Sequence, residues 1–213
     1  MFNVLDERMK KFLILVCAIS ILFFAKCGGG GGEYYPPKIV LNKIGLHKVE
    51  IKSSEINEYN KLVLEGYDQL EKIERTIAGT KYYYFKKFQF MGQQYEIAIP
   101  INNWVSIIDN NNKVLKKLET PRYTRNAAAI ELKGKDGKSF MAIYIDQQSS
   151  SHSSTLFILS DELDLGYKEH LLGAKWMAKE TSESGENLII SCEKKWLQND
   201  EWVIVGGPWR YIL

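Results

Sequence analysis

At 213 residues, 45% of them hydrophobic, the chain is long enough to bury one real core. Its 28 Lys and Arg nearly cancel 26 Asp and Glu, so no basic field is present to drive nucleic-acid binding, which is chiefly electrostatic. The three cysteines, Cys17, Cys27 and Cys192, and the three histidines, His47, His152 and His170, fall in no Cys-x-x-Cys, His-x-His or HExxH spacing, which argues against a transition-metal site.

In chain order, the first feature is Met9–Cys27, MKKFLILVCAISILFFAKC. Lys10 and Lys11 precede an apolar run of 14 residues, Phe12–Ala25. That length suits an export-signal core and is short of the roughly 20 residues a membrane-spanning helix needs. Met9 opens a more ordinary signal than Met1 does. Phe24, Ala25 and Lys26 stand at the −3, −2 and −1 places before Cys27. The segment resembles the lipobox of bacterial lipoproteins, with Lys26 where that family usually has Gly, Ala or Ser. The resemblance implies cleavage before Cys27 and lipidation of its sulfur, hence a membrane-anchored protein of the bacterial cell envelope facing periplasm or exterior. Residues 1–26 then form the signal peptide, and what remains has 24 basic and 24 acidic side chains. Cys192 becomes the one cysteine beyond the anchor; it lies in an apolar run, where an inert buried thiol is expected.

Residues 27–37 read as the lipidated cysteine and a tether. Gly28–Gly32 behaves as random coil with a reach of ~12 Å, and Tyr34-Tyr35-Pro36-Pro37 stiffens its exit. It is no phosphate loop, because it lacks the flanking strand, helix and Lys-Ser/Thr pair.

Residues 38–213 read as a β-rich domain. Residues 54–79 admit two structures. Ile56, Tyr59, Val63, Tyr67, Leu70, Ile73 and Ile77 form a helical stripe, while Gly66 in its middle favours a hairpin of Lys61–Glu65 with a strand from Leu70. The hairpin is preferred because it continues the downstream spacing. From Leu62 onward, short aromatic and β-branched runs alternate with turns at Asp109–Asn112, Lys135–Gly137, Glu183–Glu186 and Gly206–Pro208. The hairpin Trp104–Glu119 recurs about 51 residues later as Thr155–His170, and Ala127–Asp146 recurs as Ala174–Cys192, with Gly137 and Gly185 in corresponding turns. The expectation is an all-β fold of antiparallel four-stranded repeats. The units resemble the blades of quinoprotein-like or FG-GAP-like β-propellers, which implies a partial propeller of about three to four blades, open to oligomerisation if the array is open.

No catalytic, cofactor-binding or metal-binding residue is assigned; the single site residue is the lipidated Cys27. His152 in Gln147–Ser154 lies beside serines, but nothing marks an orienting third group or an oxyanion hole. The acidic turns at Asp109–Asn112 and Asp161–Asp164 lack the alternating ligands of a calcium loop and fit hairpin turns. Five tryptophans lie in or beside strand runs and are expected in the core. Tyr82-Tyr83-Tyr84 must expose at least one ring if extended. The functional expectation is an exported binding or interaction module with a possible envelope protein partner. The alternatives are a truncated or subunit-dependent propeller enzyme and a structural lipoprotein of an envelope complex.

Overall fold

The computed structural model describes residues 38–56, 61–63, 70–120, 123–147, 153–172, 174–183, 185–192, 195–198, 201–204 and 207–213. The segments read as an export signal and tether, Cys27 included, Gly66 of the expected hairpin, and His152 with most of its serine loop lie outside them. The described residues are all-β and antiparallel, as expected, and contain no α-helix.

The N-terminal strands are β1 (Lys38–Asn42), β2 (His47–Glu50) and the two-residue β3 (Leu62–Val63). The first large sheet follows as a meander: β4 (Glu71–Ile77), β5 (Thr80–Phe90), β6 (Gln93–Ile99), β7 (Trp104–Asp109) and β8 (Val114–Glu119). Its first two turns have two residues each, Ala78-Gly79 and Met91-Gly92, all four with positive φ between 47° and 77°. Such turns match the right-handed twist of the strands they join, and glycine takes the left-handed geometry at little cost.

The middle sheet is the meander β9 (Thr124–Lys133), β10 (Ser139–Gln147), β11 (Ser153–Leu159) and β12 (Leu165–Leu172), with β1 added outside β12. The third sheet starts with β13 (Ala174–Ser182) and β14 (Gly185–Cys192). Here the repeat departs from four consecutive strands. Among the described strands β15 (Lys195–Gln198) and β16 (Glu201–Ile204) pair only with each other, and β17 (Trp209–Ile212) takes the place beside β14. β2 completes the outer edge beside β17, and β3 adds to the opposite edge beside β13.

The preferred hairpin of residues 61–77 needs correction. Strands occur at both places, but they belong to different sheets. β3 pairs with Trp176 and Met177 of β13, and β4 pairs with β5. The two-residue turn Ala78-Gly79 gives β4 the nearer partner, and lengthening a connection costs little entropy, so β3 is free to cap a distant edge.

The middle sheet is apolar on both faces. Ala128, Ala142, Tyr144, Leu156 and Ile158 pack against Met177, Leu188, Ile190 and Tyr211 of the third sheet. The alternate residues Ala127, Ile143, Ile145, Phe157 and Leu159 pack against Ile97, Ile99, Val105 and Ile107 of the first. Period-two alternation with apolar residues at both parities is the signature of a sheet covered on both sides. Among the described strands the middle sheet is therefore sandwiched between the first and the third.

Among the described residues the fully buried polar aromatics are tyrosines. Tyr82, Tyr144, Tyr167 and Tyr211 are fully buried, whereas Trp104, Trp176 and Trp209 are half-buried. Each buried phenol reaches a partner: Tyr82 with the Ser106 hydroxyl at 3.0 Å, Tyr144 with the Ser154 hydroxyl, and both Tyr167 and Tyr211 donating to the Glu169 carboxylate at 2.8 and 2.9 Å. Glu169 is 1% exposed and also forms an ion pair with Lys48 of β2. The Lys48 ammonium lies 3.9 Å from the centroid of the Trp209 ring. Burial, together with the Glu169 carboxylate, pushes the Tyr167 phenol well above its ordinary range.

Candidate functional site

The site begins as an irregularity of one strand pair. Lys72 faces Tyr84 and Arg75 faces Tyr82, so Ile73 and Glu74 together oppose Tyr83 alone. This is a β-bulge on the edge strand β4, a device that bends a strand and re-aims its side chains. The break carries into β5. Tyr82 packs with Phe85, Ala98 and Ile108 on the outer face of the first sheet, while Tyr84 packs towards Phe90 and Ile97 on the inner face.

The bulge forms one wall of a cleft of about 650 Å³. Lys72, Ile73 and Glu74 line it from β4, and Tyr83 and Tyr84 from β5. The end of β6 adds Ile99 and Pro100, with Ile101 beyond them, and the entry to β9 adds Tyr123 and Thr124. The volume falls within the roughly 300–1,000 Å³ range of small-molecule sites.

Three features separate this cleft from ordinary surface. Ile73, Ile101 and Tyr123 are 44%, 63% and 51% exposed, so large apolar side chains that face solvent are gathered here. Such grouping, unlike scattered exposure, marks a binding surface. The Thr124 hydroxyl is buried, with the residue 7% exposed, and has no hydrogen-bond partner among the described residues. Charge is asymmetric: Lys81 answers Glu74 at 3.0 Å, while no carboxylate among the described residues pairs with Lys72.

A second, polar depression of about 210 Å³ lies near the β7–β8 turn, lined by Arg75, Lys87, Glu96 and Asp109 among others. Its charges are already spent. Arg75 pairs with Glu96, donates to the Asn112 side-chain oxygen at 3.2 Å and stacks over Phe85. Asp109 accepts the backbone N–H groups of Asn111 and Lys113, both at 2.9 Å, as a turn-forming aspartate does. In the other acidic turn the Ser160 hydroxyl accepts the Asp164 N–H at 3.1 Å. Among the described residues no three His, Cys, Asp or Glu side chains are placed to hold a metal ion.

Of the residues singled out from sequence, Tyr83 and Tyr84 reach the cleft. His170 lies half-buried in β12 with the Thr155 hydroxyl 3.1 Å from Nδ1, and His47 is exposed on β2. Burial, then the nearby Lys168 charge, pulls the His170 imidazole below its ordinary value. Cys27 and His152 lie outside the described residues. Ile73, placed by the sequence on a candidate helical stripe, reaches the cleft from the β4 bulge instead; Ile101, Tyr123 and Thr124 carried no such mark, because their grouping depends on sheet-to-loop geometry, and the apolar Ile101 after Pro100 was the available signal. Compared with known proteins, the chain matches no family model, no curated protein and no solved structure.

Proposed function

We propose that this protein is an exported, lipid-anchored module of the bacterial cell envelope that works by binding, with the cleft beside the β4 bulge as its ligand site. The observation that carries the binding reading is the gathering of exposed Ile73, Ile101 and Tyr123 around a cavity of about 650 Å³. The anchor reading rests on Met9–Cys27 and the glycine tether behind it. A lipidated Cys27 carrying two or more chains would hold the domain stably at a bilayer, since one chain binds only reversibly. The stacked sheets resemble the blades of a partial propeller, a scaffold whose specificity resides in its connecting segments.

Two measurements test the two halves. Radiolabelled palmitate should enter wild-type protein and not Cys27→Ala; label in neither, or protein recovered from the cytosol with residues 1–26 intact, overturns the anchor. A fragment library screened by ligand-observed NMR should yield hits that Tyr123→Ala weakens. A library without a single hit sensitive to that change removes the binding reading.

A second reading, a structural lipoprotein packed against an envelope complex, draws on Ile39 and Val40 of β1 and Val49 of β2, which are also exposed. Stoichiometric co-purification with envelope proteins, lost on Val40→Glu, would favour it.

A further inference from the structure

The cleft has more character than an apolar hole, and its character narrows the ligand. We infer that it takes a small organic carboxylate with an aromatic or branched apolar body, held as a free small molecule. This inference rests on the binding reading above and goes on to name the class of ligand.

The body of the ligand follows from the walls. Three tyrosines, Tyr83, Tyr84 and Tyr123, and three isoleucines, Ile73, Ile99 and Ile101, line the cleft. Three isoleucines offer no hydrogen bond, which disfavours a saccharide, whose hydroxyls need a partner at nearly every position. The anionic group follows from the charges. Glu74 is matched by Lys81, and Lys72 lines the cleft with no carboxylate partner among the described residues. A carboxylate placed there gains a charge-assisted contact.

The second polar anchor is Thr124. Its hydroxyl lies buried at the cleft with no acceptor or donor among the described residues. In the rotamer seen, the oxygen is closed to solvent, so a ligand oxygen reaches it through a turn of χ1 between staggered wells. An orphaned buried hydroxyl is costly to leave unmade, and a ligand that satisfies it recovers that cost.

An extended peptide is the obvious rival, because β4 is the edge of its sheet. The bulge argues against it. Ile73 and Glu74 stand out of register with β5 at the stretch that lines the cleft, and a bulged edge does not offer the regular row of donors and acceptors that strand addition uses. The cavity volume also suits a compact molecule better than a strand.

The test uses 3-phenylpropionate and its neutral isostere 3-phenylpropanamide, with binding to the full chain followed by titration NMR. The carboxylate should bind at the cleft about fivefold tighter than the amide. Lys72→Gln should erase that difference, and raised salt should shrink it. Thr124→Val, which keeps the shape and removes the hydroxyl, should weaken both probes about fivefold. Equal affinity for acid and amide at the cleft overturns the carboxylate inference and leaves the binding reading standing. So does preferential binding there of cello-oligosaccharides or of an N-acetylated, C-terminally amidated Gly-Gly-Phe peptide. If neither probe binds and fragments also fail, both readings fall together.

Discussion

The two faces of the middle sheet are built from different materials. Towards the first sheet the contact is hydrocarbon and aromatic: Ile97, Ile99, Val105 and Ile107 against Ile143, Ile145, Phe157 and Leu159. Towards the third sheet a similar apolar layer surrounds a buried carboxylate, Glu169, with Lys48, Tyr167 and Tyr211 as partners. The difference follows the path of the chain. The first and middle sheets are consecutive in sequence, and each strand of those meanders pairs with the next. The third sheet is finished by β2, whose Lys48 is 121 residues from Glu169. A one-residue slip of β2 would turn Lys48 to the opposite face and leave the carboxylate buried without its cation. The polar seam thus penalises misregistry of the N-terminal strand more heavily than hydrocarbon packing alone would, and β1 docks beside β12 on that same side of the fold.

The sharpest way to break this comparison is Glu169→Ala. It strands Lys48 and two phenols in a buried site, and should cost about 3–5 kcal/mol of stability in urea unfolding. Glu169→Gln should cost less, because an acceptor remains. If Glu169→Ala unfolds no more readily than wild type, the polar seam is not structural. On the dry seam, Ile107→Ala should cost about 3 kcal/mol through lost burial and a residual cavity. Comparable losses at both seams with different sensitivity to salt would sharpen the contrast.

A smaller effect is expected where the tips of two hairpins meet. Gly185 has φ of +113° and bridges to Gly134. A Cβ there would sit 2.7 Å from the Lys133 carbonyl oxygen and 2.9 Å from the Lys135 nitrogen. Gly185→Ala should cost about 1–3 kcal/mol, read as a lowered urea midpoint, with hydrogen exchange quickened at the 134–138 turn.

The smallest effect is in pH. The folded His170 imidazole binds its proton less readily than the unfolded one, chiefly through burial. Above the unfolded value of about 6.5 both states are neutral and the full stability is present. As pH falls below that value, the unfolded chain takes up a proton that the folded chain refuses, so stability declines. His170→Gln should flatten the profile between pH 7 and 5.5. An unchanged slope in that variant would assign the pH dependence to other groups.

Much of the architecture was legible from residue order. The hairpins Trp104–Glu119, Ala127–Asp146, Thr155–His170 and Ala174–Cys192 correspond to β7–β8, β9–β10, β11–β12 and β13–β14. Their turns declare themselves through Asp, Asn and Gly, whose backbone preferences are local. The roles of the aromatics were less legible. Trp104, Trp176 and Trp209, expected in the core, lie half-buried, because the fully enclosed positions offer hydroxyl or carboxylate partners that a phenol uses directly. The partners of β1, β2 and β3 were not readable, since edge pairing depends on which sheet has an open ladder nearby.

Period-two alternation, turn chemistry and the apolar content of both faces of the middle sheet are properties of short windows, and the amino-acid order alone determined them. Which sheets stack, which edge each N-terminal strand joins, and the meeting of Ile73, Tyr83, Ile101, Tyr123 and Thr124 around one cleft were decided in three dimensions. Those contacts join residues separated along the chain, and no local propensity encodes the energy gained when distant surfaces exclude water together.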